Sequence, residues 1–384
     1  MPTPTPLGIR VNLSVCPLGS NVFIRFKDPT YYPFAINNIL LTYLRISDRT
    51  FVNQLITAHS YLKLLSWRKI SNYFLLFSSF HYSRWIKKPI VWGKPTTLSI
   101  EPTTSCNLRC PECPSGLRIF SRPTGMIQEA LFKKIIDENA PELTYLHLYF
   151  QGEPYLHPKF LELVKYAYER KVFTATSTNA HYLTEQNVSK TLDSGLKQLI
   201  ISMDGITQEV YQDYRIGGSL SKVQEGLKLL IEKRAERKQL YPRVILQFLV
   251  TGKNEHQLNE LKYWASEMKV DELQLKSTQI YDFENGSELI PSEEKYSRYI
   301  LAKNGKWKLK KSIENKCWRM WQGAVVTWDG RVVPCCFDKD AEHVMGQINY
   351  TPMAEIWQNS KYQHFRKQLL TDRTEIEICK NCSE

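Results

Sequence analysis

From residue 97 onward the chain alternates strictly between two apolar periods, and this alternation limits the fold more than any other feature. Strand-like runs fall at 97–101, 143–150, 173–177, 198–203, 243–250 and 272–276, with helix-like stretches near 127–138, 158–170, 184–193, 220–237 and 255–268 between them. Such alternation dictates βαβ units with right-handed crossovers and a parallel sheet. The fold class is therefore α/β. Six repeats over about 180 residues predict a partial (β/α)6 TIM-like barrel rather than a closed eightfold one. In such sheets chemistry gathers at the carboxyl ends of the strands. The full 384 residues leave room for more than the barrel. Residues 1–35, with six prolines, read as a loosely ordered leader, 36–95 as a basic, aromatic helical extension, and 96–276 as the barrel. Residues 277–310 read as a polar bridge, and 311–384 as a small cysteine-bearing module.

Seven of the nine cysteines fall into two sets. Cys106, Cys110 and Cys113 lie directly after the first strand, which places them on a loop at the top of the barrel. Three closely spaced thiols in a chain expected to be cytoplasmic suit a metal better than disulfides. Zinc normally takes four ligands, and no fourth Cys or His is near in sequence. Three thiolates are what a four-iron–four-sulfur cluster needs when one iron stays open. A structural zinc or a plain ferredoxin site is the alternative.

The Cys-x3-Cys-x2-Cys loop resembles the signature of radical S-adenosylmethionine (SAM) enzymes. That resemblance implies a 4Fe–4S cluster whose open iron binds SAM, and reductive cleavage to a 5′-deoxyadenosyl radical that takes a hydrogen atom from substrate. Gln151-Gly152-Glu153-Pro154 follows the second strand and is similar to the family's Gly-Gly-Glu motif, with Gly152 and Glu153 facing the SAM amino group. Ser202-Met203-Asp204-Gly205 ends the fourth strand and resembles the family's ribose and carboxylate contacts, through Ser202 and Asp204. Arg215 is similar to an arginine that pairs the SAM carboxylate in several subfamilies. Where the family often has an aromatic residue before the third cysteine, this chain has Glu112. No catalytic base stands out, although Lys276 and Tyr281 fall at the right end of the barrel.

The second set is Cys317, Cys335, Cys379 and Cys382, in the pattern Cys-x12-Gly-x4-Cys followed by a late Cys-x2-Cys. It resembles the SPASM/twitch domain, which implies one auxiliary 4Fe–4S cluster with all four irons ligated. Such a closed cluster suits electron transfer better than substrate binding; zinc is again the alternative. Residues 328–332 read as a hairpin with an Asp-Gly turn that presents Cys335 on its return strand. Cys336 reads as a buried thiol outside the cluster. The auxiliary spacing resembles that of 2-deoxy-scyllo-inosamine dehydrogenases, implying an oxidoreductase acting on a carbohydrate-like or other small polar metabolite. The second reading is a maturase that modifies peptides or proteins, and the non-enzymatic one is an iron–sulfur or zinc scaffold. A flavodoxin- or ferredoxin-type electron donor is implied by the family.

Charge is uneven. Of the net +12, residues 1–95 supply most, with twelve Lys and Arg against Asp28 and Asp48. A near-neutral barrel argues against nucleic acid as a partner. Helical periodicity over 36–88 rests on Leu55, Ile56, Leu62, Leu65, Phe74 and Phe77. The basic face reads either as solvated or, with Trp67, Phe74, Phe77, Trp85, Lys87 and Lys88, as a contact for a membrane surface or an acidic partner. The nearest candidate for a spanning helix, residues 70–83, is short of the roughly 18 residues such a helix needs and carries Ser, Asn and His. A cytoplasmic location is expected.

Overall fold

The computed structural model describes residues 60–382. The leader, the extension up to residue 59 and Cys16 lie outside the described residues. The barrel strands are β1 (Thr97–Ile100), β2 (Tyr145–His147), β3 (Phe173–Thr178), β4 (Gln198–Ser202), β5 (Arg243–Val250) and β6 (Glu272–Ser277). They pair in that order, all parallel, with β1 and β6 unjoined, so the barrel is open. Between them run α2 (Glu129–Asn139), α3 (Phe160–Glu169), α4 (Glu185–Asp193), α5 (Leu220–Glu236) and α6 (Leu258–Glu267); α1 (Trp67–Ile86) precedes β1. Local chemistry sets the helix starts: Ser66, Thr184 and Ser219 cap α1, α4 and α5 by accepting from the backbone N–H three residues on.

Strand side chains alternate in direction, and the two directions differ in kind. Leu98, Ile100, Leu146, Leu199, Val244 and Leu246 are fully buried and pack with Phe132, Ile135 and Val164 of the helices. The opposite parity carries Thr97, Ser99, Tyr145 and His147, which line a cavity inside the barrel wall.

The C-terminal region joins this sheet instead of standing apart. β9 (Gly323–Val326) pairs in parallel with β1, from Thr97 with Gly323 to Ile100 with Val326. β10 (Arg331–Val333) and β11 (Gly346–Gln347) continue the sheet antiparallel. The Asp-Gly hairpin forms as expected, with Gly330 at φ 89°. Cys335, however, sits in the bend after β10 and not on the strand. The bridge is not merely polar: β7 (Tyr299–Leu301) and β8 (Trp307–Leu309) pair antiparallel, and Ile280, Ile290 and Tyr299 form a small core. α7 (Met353–Gln358) and α8 (Ser360–Thr371) complete the C-terminal region.

α1 buries Leu76 and Phe80 but otherwise turns polar residues inward and aromatic ones outward. Phe74 and Phe77 are exposed, whereas Lys69, Asn72, Ser79 and Ser83 are buried. Each of the latter has a hydrogen bond, among them Asn72 with both N–H and C=O of Lys94 and Ser83 with both of Ile90. Leu62 is exposed as well, and Leu55 and Ile56 lie outside the described residues.

Candidate functional site

β1 ends beside Glu101, a buried carboxylate that receives two hydrogen bonds from Arg122 at 2.6 and 2.9 Å. The loop beyond carries Cys106, Cys110 and Cys113, and Cys113 opens the short helix Pro114–Leu117. The three cysteines pack with Leu108 and Tyr214. Burial pushes the Cys106 thiol up to about 12 and raises that of Cys110. Thiolates here therefore require a cation bound to them.

The strand ends converge on this loop. Asn179, just past β3, donates to Cys106 Sγ at 3.9 Å, and Cys113 Sγ faces Gln151 Oε1 at 3.8 Å. Arg215 lies 3.8 Å from Cys110 Sγ and donates to Asp204 at 2.5 Å. Asp204 is buried and also accepts from the Leu249 N–H at 2.7 Å. Gly152 adopts φ 72° where a Cβ would lie 2.3 Å from the Thr103 carbonyl oxygen and 2.7 Å from that of Ser105. Its N–H donates to Ser115 Oγ at 2.9 Å, so this glycine is the crossing point of the two loops. Glu153 turns inward, accepting from Thr178 Oγ1 at 2.7 Å and from the N–H groups of Asn179 and Tyr155 at 2.8 and 3.2 Å. Burial nevertheless raises its carboxyl to about 7, against the pull of those bonds. Ser202, the last residue of β4, is buried two positions before Asp204. Glu112 accepts from the Tyr281 N–H at 3.0 Å and so ties the cysteine loop to the bridge. Lys276 is exposed.

The second set also assembles. Cys335 senses Cys317 and Cys379 electrostatically, and Cys379 in turn senses Cys317 and Cys382. Arg373, buried to 1% exposure, donates to Cys382 Sγ at 3.0 Å and to the Lys316 carbonyl at 2.9 Å. Burial raises the Cys317, Cys335 and Cys379 thiols, the last to about 11. Cys336 is half-buried, not buried as expected. It points into the barrel cavity, where Arg319 donates to it at 3.5 Å.

That cavity, of about 420 Å³, is lined by Ser99, Tyr145, His147, Arg319 and Cys336, among others, and reaches Cys335 of the second set. His147 Nδ1 is buried without a hydrogen-bond partner, and burial, helped by Arg319, lowers its pKa to about 4. Sequence reasoning missed this histidine, along with Asn179 and Arg319. The polar parity of β1 and β2 was the available signal.

Both cysteine sets fit iron–sulfur clusters. Each is half-buried to buried, made of soft thiolate donors, and has an arginine donating to a sulfur, as anionic clusters need. Among the described residues no three Cys, His, Asp or Glu side chains converge as they would on a single ion; thiolates that take separate irons need not. The Radical SAM superfamily description matches residues 100–264, and that of the SPASM iron–sulfur cluster-binding domain matches 317–383. A tungsten-containing aldehyde ferredoxin oxidoreductase cofactor-modifying protein of Pyrococcus furiosus is 28% identical over 74% of this chain and 86% of its own. The PqqA peptide cyclase of Bradyrhizobium diazoefficiens is 26% identical over 70% of this chain and 74% of its own. Among solved structures, SuiB of Streptococcus suis bound to S-adenosylmethionine superposes with a TM-score of 0.56 at 14% identity, covering 75% of this chain and 72% of that one. The two matched domains imply a 4Fe–4S cluster with SAM in the barrel, and an auxiliary cluster agrees with the second. The chain thus carries a radical SAM domain over residues 100–264 and a C-terminal SPASM iron–sulfur cluster-binding domain over residues 317–383.

Proposed function

We propose that this radical SAM enzyme oxidises a small polar, carbohydrate-like substrate held in the barrel cavity, with the second electron leaving through the C-terminal cysteines. One observation carries the reading: the cavity that can hold a substrate also touches Cys335. A volume of about 420 Å³ suits a small metabolite or one side chain, and Tyr145, His147 and Arg319 offer it polar contacts. In this reading Cys106, Cys110 and Cys113 hold the first cluster, and Cys317, Cys335, Cys379 and Cys382 the auxiliary one. SAM and the first cluster, when bound, supply the 5′-deoxyadenosyl radical that accepts a hydrogen atom. Gly152 lets the backbone approach SAM, and Glu153 fixes the end of β3 beside it. Ser202 and Asp204 border the same space, and Asp204 aims the Arg215 guanidinium toward the SAM carboxylate. His147, neutral at pH 7, can accept the proton released when a hydroxyl becomes a carbonyl. A flavodoxin- or ferredoxin-type protein supplies the first electron.

A peptide substrate is the second reading, supported by the likeness to the PqqA peptide cyclase. The test uses the reconstituted enzyme with SAM, dithionite and a pool of polar metabolites. A product two hydrogens lighter than its substrate is expected, and Cys382→Ala should stop its formation while 5′-deoxyadenosine still appears. Undiminished oxidation in that variant refutes the electron-acceptor role. Turnover of a precursor peptide, with none of any metabolite, favours the second reading.

A further inference from the structure

Helices on the surface of a globular protein turn apolar residues inward and polar ones outward. α1 departs from this: Lys69, Asn72, Ser79 and Ser83 share its buried face with Leu76 and Phe80, while large aromatic residues stand outside. At 100° and 1.5 Å per residue, Trp67, Phe74 and Trp85 fall within about 20° of one line along the helix, and that line runs about 27 Å. These side chains are 81%, 61% and 80% exposed. Leu75 and Tyr82 widen the stripe, and Trp92 stacks on Tyr82 with ring centroids 5.6 Å apart.

The helix cannot turn this stripe inward. Its other face is bonded to the body of the protein through Lys69 to the Lys171 carbonyl, Asn72 to Lys94 and Ser83 to Ile90. Phe80 is wedged edge-on against Trp318 and Trp321, each at 5.3 Å. The aromatic stripe is thus held rigidly outward.

Charge identifies what it faces. Residues 60–95 contain seven Lys and Arg and no Asp or Glu. Arg68 and Lys94 pair with Glu142 and Lys69 is buried, which leaves Lys63, Arg84, Lys87 and Lys88 as the exposed cations of this segment without a carboxylate partner among the described residues. Tryptophan and tyrosine are the side chains that settle at the level of lipid headgroups, and adjacent lysines are drawn to anionic lipid. No helix among the described residues is long and apolar enough to cross a membrane, and this one is fastened to a folded domain along its length. We infer that the outer face of α1 docks the enzyme, lying flat, on an anionic lipid bilayer.

The test is flotation of the full-length reconstituted protein with vesicles of phosphatidylcholine, alone or with about one third phosphatidylglycerol. Binding is expected to the mixed vesicles and to be at least roughly tenfold weaker to phosphatidylcholine alone, since each basic residue near the surface contributes about fivefold. Replacing Trp67, Phe74 and Trp85 together with Ser should weaken binding by about a hundredfold, with iron content and SAM cleavage unchanged. Should the triple variant fold poorly, Trp85→Ser alone is compared with the parent for quenching of tryptophan fluorescence by brominated lipid, and quenching should fall. The inference is overturned if the parent does not float with either vesicle. It is equally overturned if the triple variant binds like the parent, so that another part of the chain is responsible. A parent that ignores vesicles but is a dimer, and becomes monomeric in the triple variant, would assign the face to a second copy instead.

Discussion

Replacing Gly152 with Ala tests how the cysteine loop is held. The added Cβ would lie 2.3 Å from the Thr103 carbonyl oxygen and 2.7 Å from that of Ser105. A left-handed backbone costs a non-glycine residue roughly 1–2 kcal/mol. Relieving the contacts costs about 1–3 kcal/mol more if the neighbours resist. They are built to resist: the Thr104 N–H donates to the Gly125 carbonyl at 3.0 Å and the Ile127 N–H to that of Pro102 at 3.0 Å, which pins the loop on both sides of Thr103. The expected destabilisation is therefore about 2–5 kcal/mol. Gly305 is the control, because it has φ 78° but nothing within 4 Å of an added Cβ. Gly305→Ala should lose only the backbone part, about 1–2 kcal/mol. The assay compares thermal midpoints and the iron bound at each cluster, resolved by electron paramagnetic resonance. Gly152→Ala should lose first-cluster iron selectively and lower the midpoint more than the control. Equal midpoints with full first-cluster iron would refute the claim that this crossing positions the loop.

Other outcomes follow from single groups. Burial raises Glu153 to about 7, so its protonated form favours the fold; that contribution is complete below about pH 4.5 and is lost as the pH rises through 7. The stability of the parent relative to Glu153→Gln should fall by on the order of 3 kcal/mol between those limits, and a flat difference would show Glu153 to be ordinary. His147, lowered to about 4, should keep a neutral imidazole at pH 5 in nuclear magnetic resonance titrations. Its contribution to stability is then lost as the pH falls from about 6.5 toward 4; a midpoint above 6 contradicts the buried placement. Arg373→Met removes a cation and a hydrogen bond from Cys382, so the auxiliary cluster should become harder to reduce by on the order of tens of millivolts. The first cluster should not shift, and an unchanged auxiliary potential would remove Arg373 from that role.

The barrel was legible because the helix-facing parity of β1, β2, β4 and β5 is apolar throughout, although in β3 the same parity carries Thr174, Thr176 and Thr178. Arg243–Val250 forms over the expected residues, and the other strands differ by a residue or two, except β2. There the apolar run 143–150 pairs only at Tyr145–His147, because the chain must leave the sheet to bring Gln151 and Gly152 to the cysteine loop. Motif residues far apart in sequence do converge, since strand ends in a parallel sheet share one edge. What the sequence hid was the direction of side chains. Thr97, Ser99, Tyr145 and His147 form a polar parity that lines a cavity, yet in an expected buried parallel sheet they read as incidental. In α1, Phe74 and Phe77 mark the helical period without fixing which face is buried, while the hydrogen bonds that bury Asn72 and Ser83 depend on Lys94 and Ile90, which no helical period encodes. The docking of β9 onto β1 was likewise invisible, since it joins residues more than two hundred positions apart.

The central claim is that the two cysteine sets hold two clusters, the first of which cleaves SAM while the barrel cavity reaches the second. The most direct measurement is iron and sulfide per chain after anaerobic reconstitution, followed in the same sample by 5′-deoxyadenosine formed from SAM under dithionite. About eight irons, with 5′-deoxyadenosine that disappears in Cys106→Ala, is the predicted result. About four irons, or 5′-deoxyadenosine formation that survives the loss of Cys106, would contradict it.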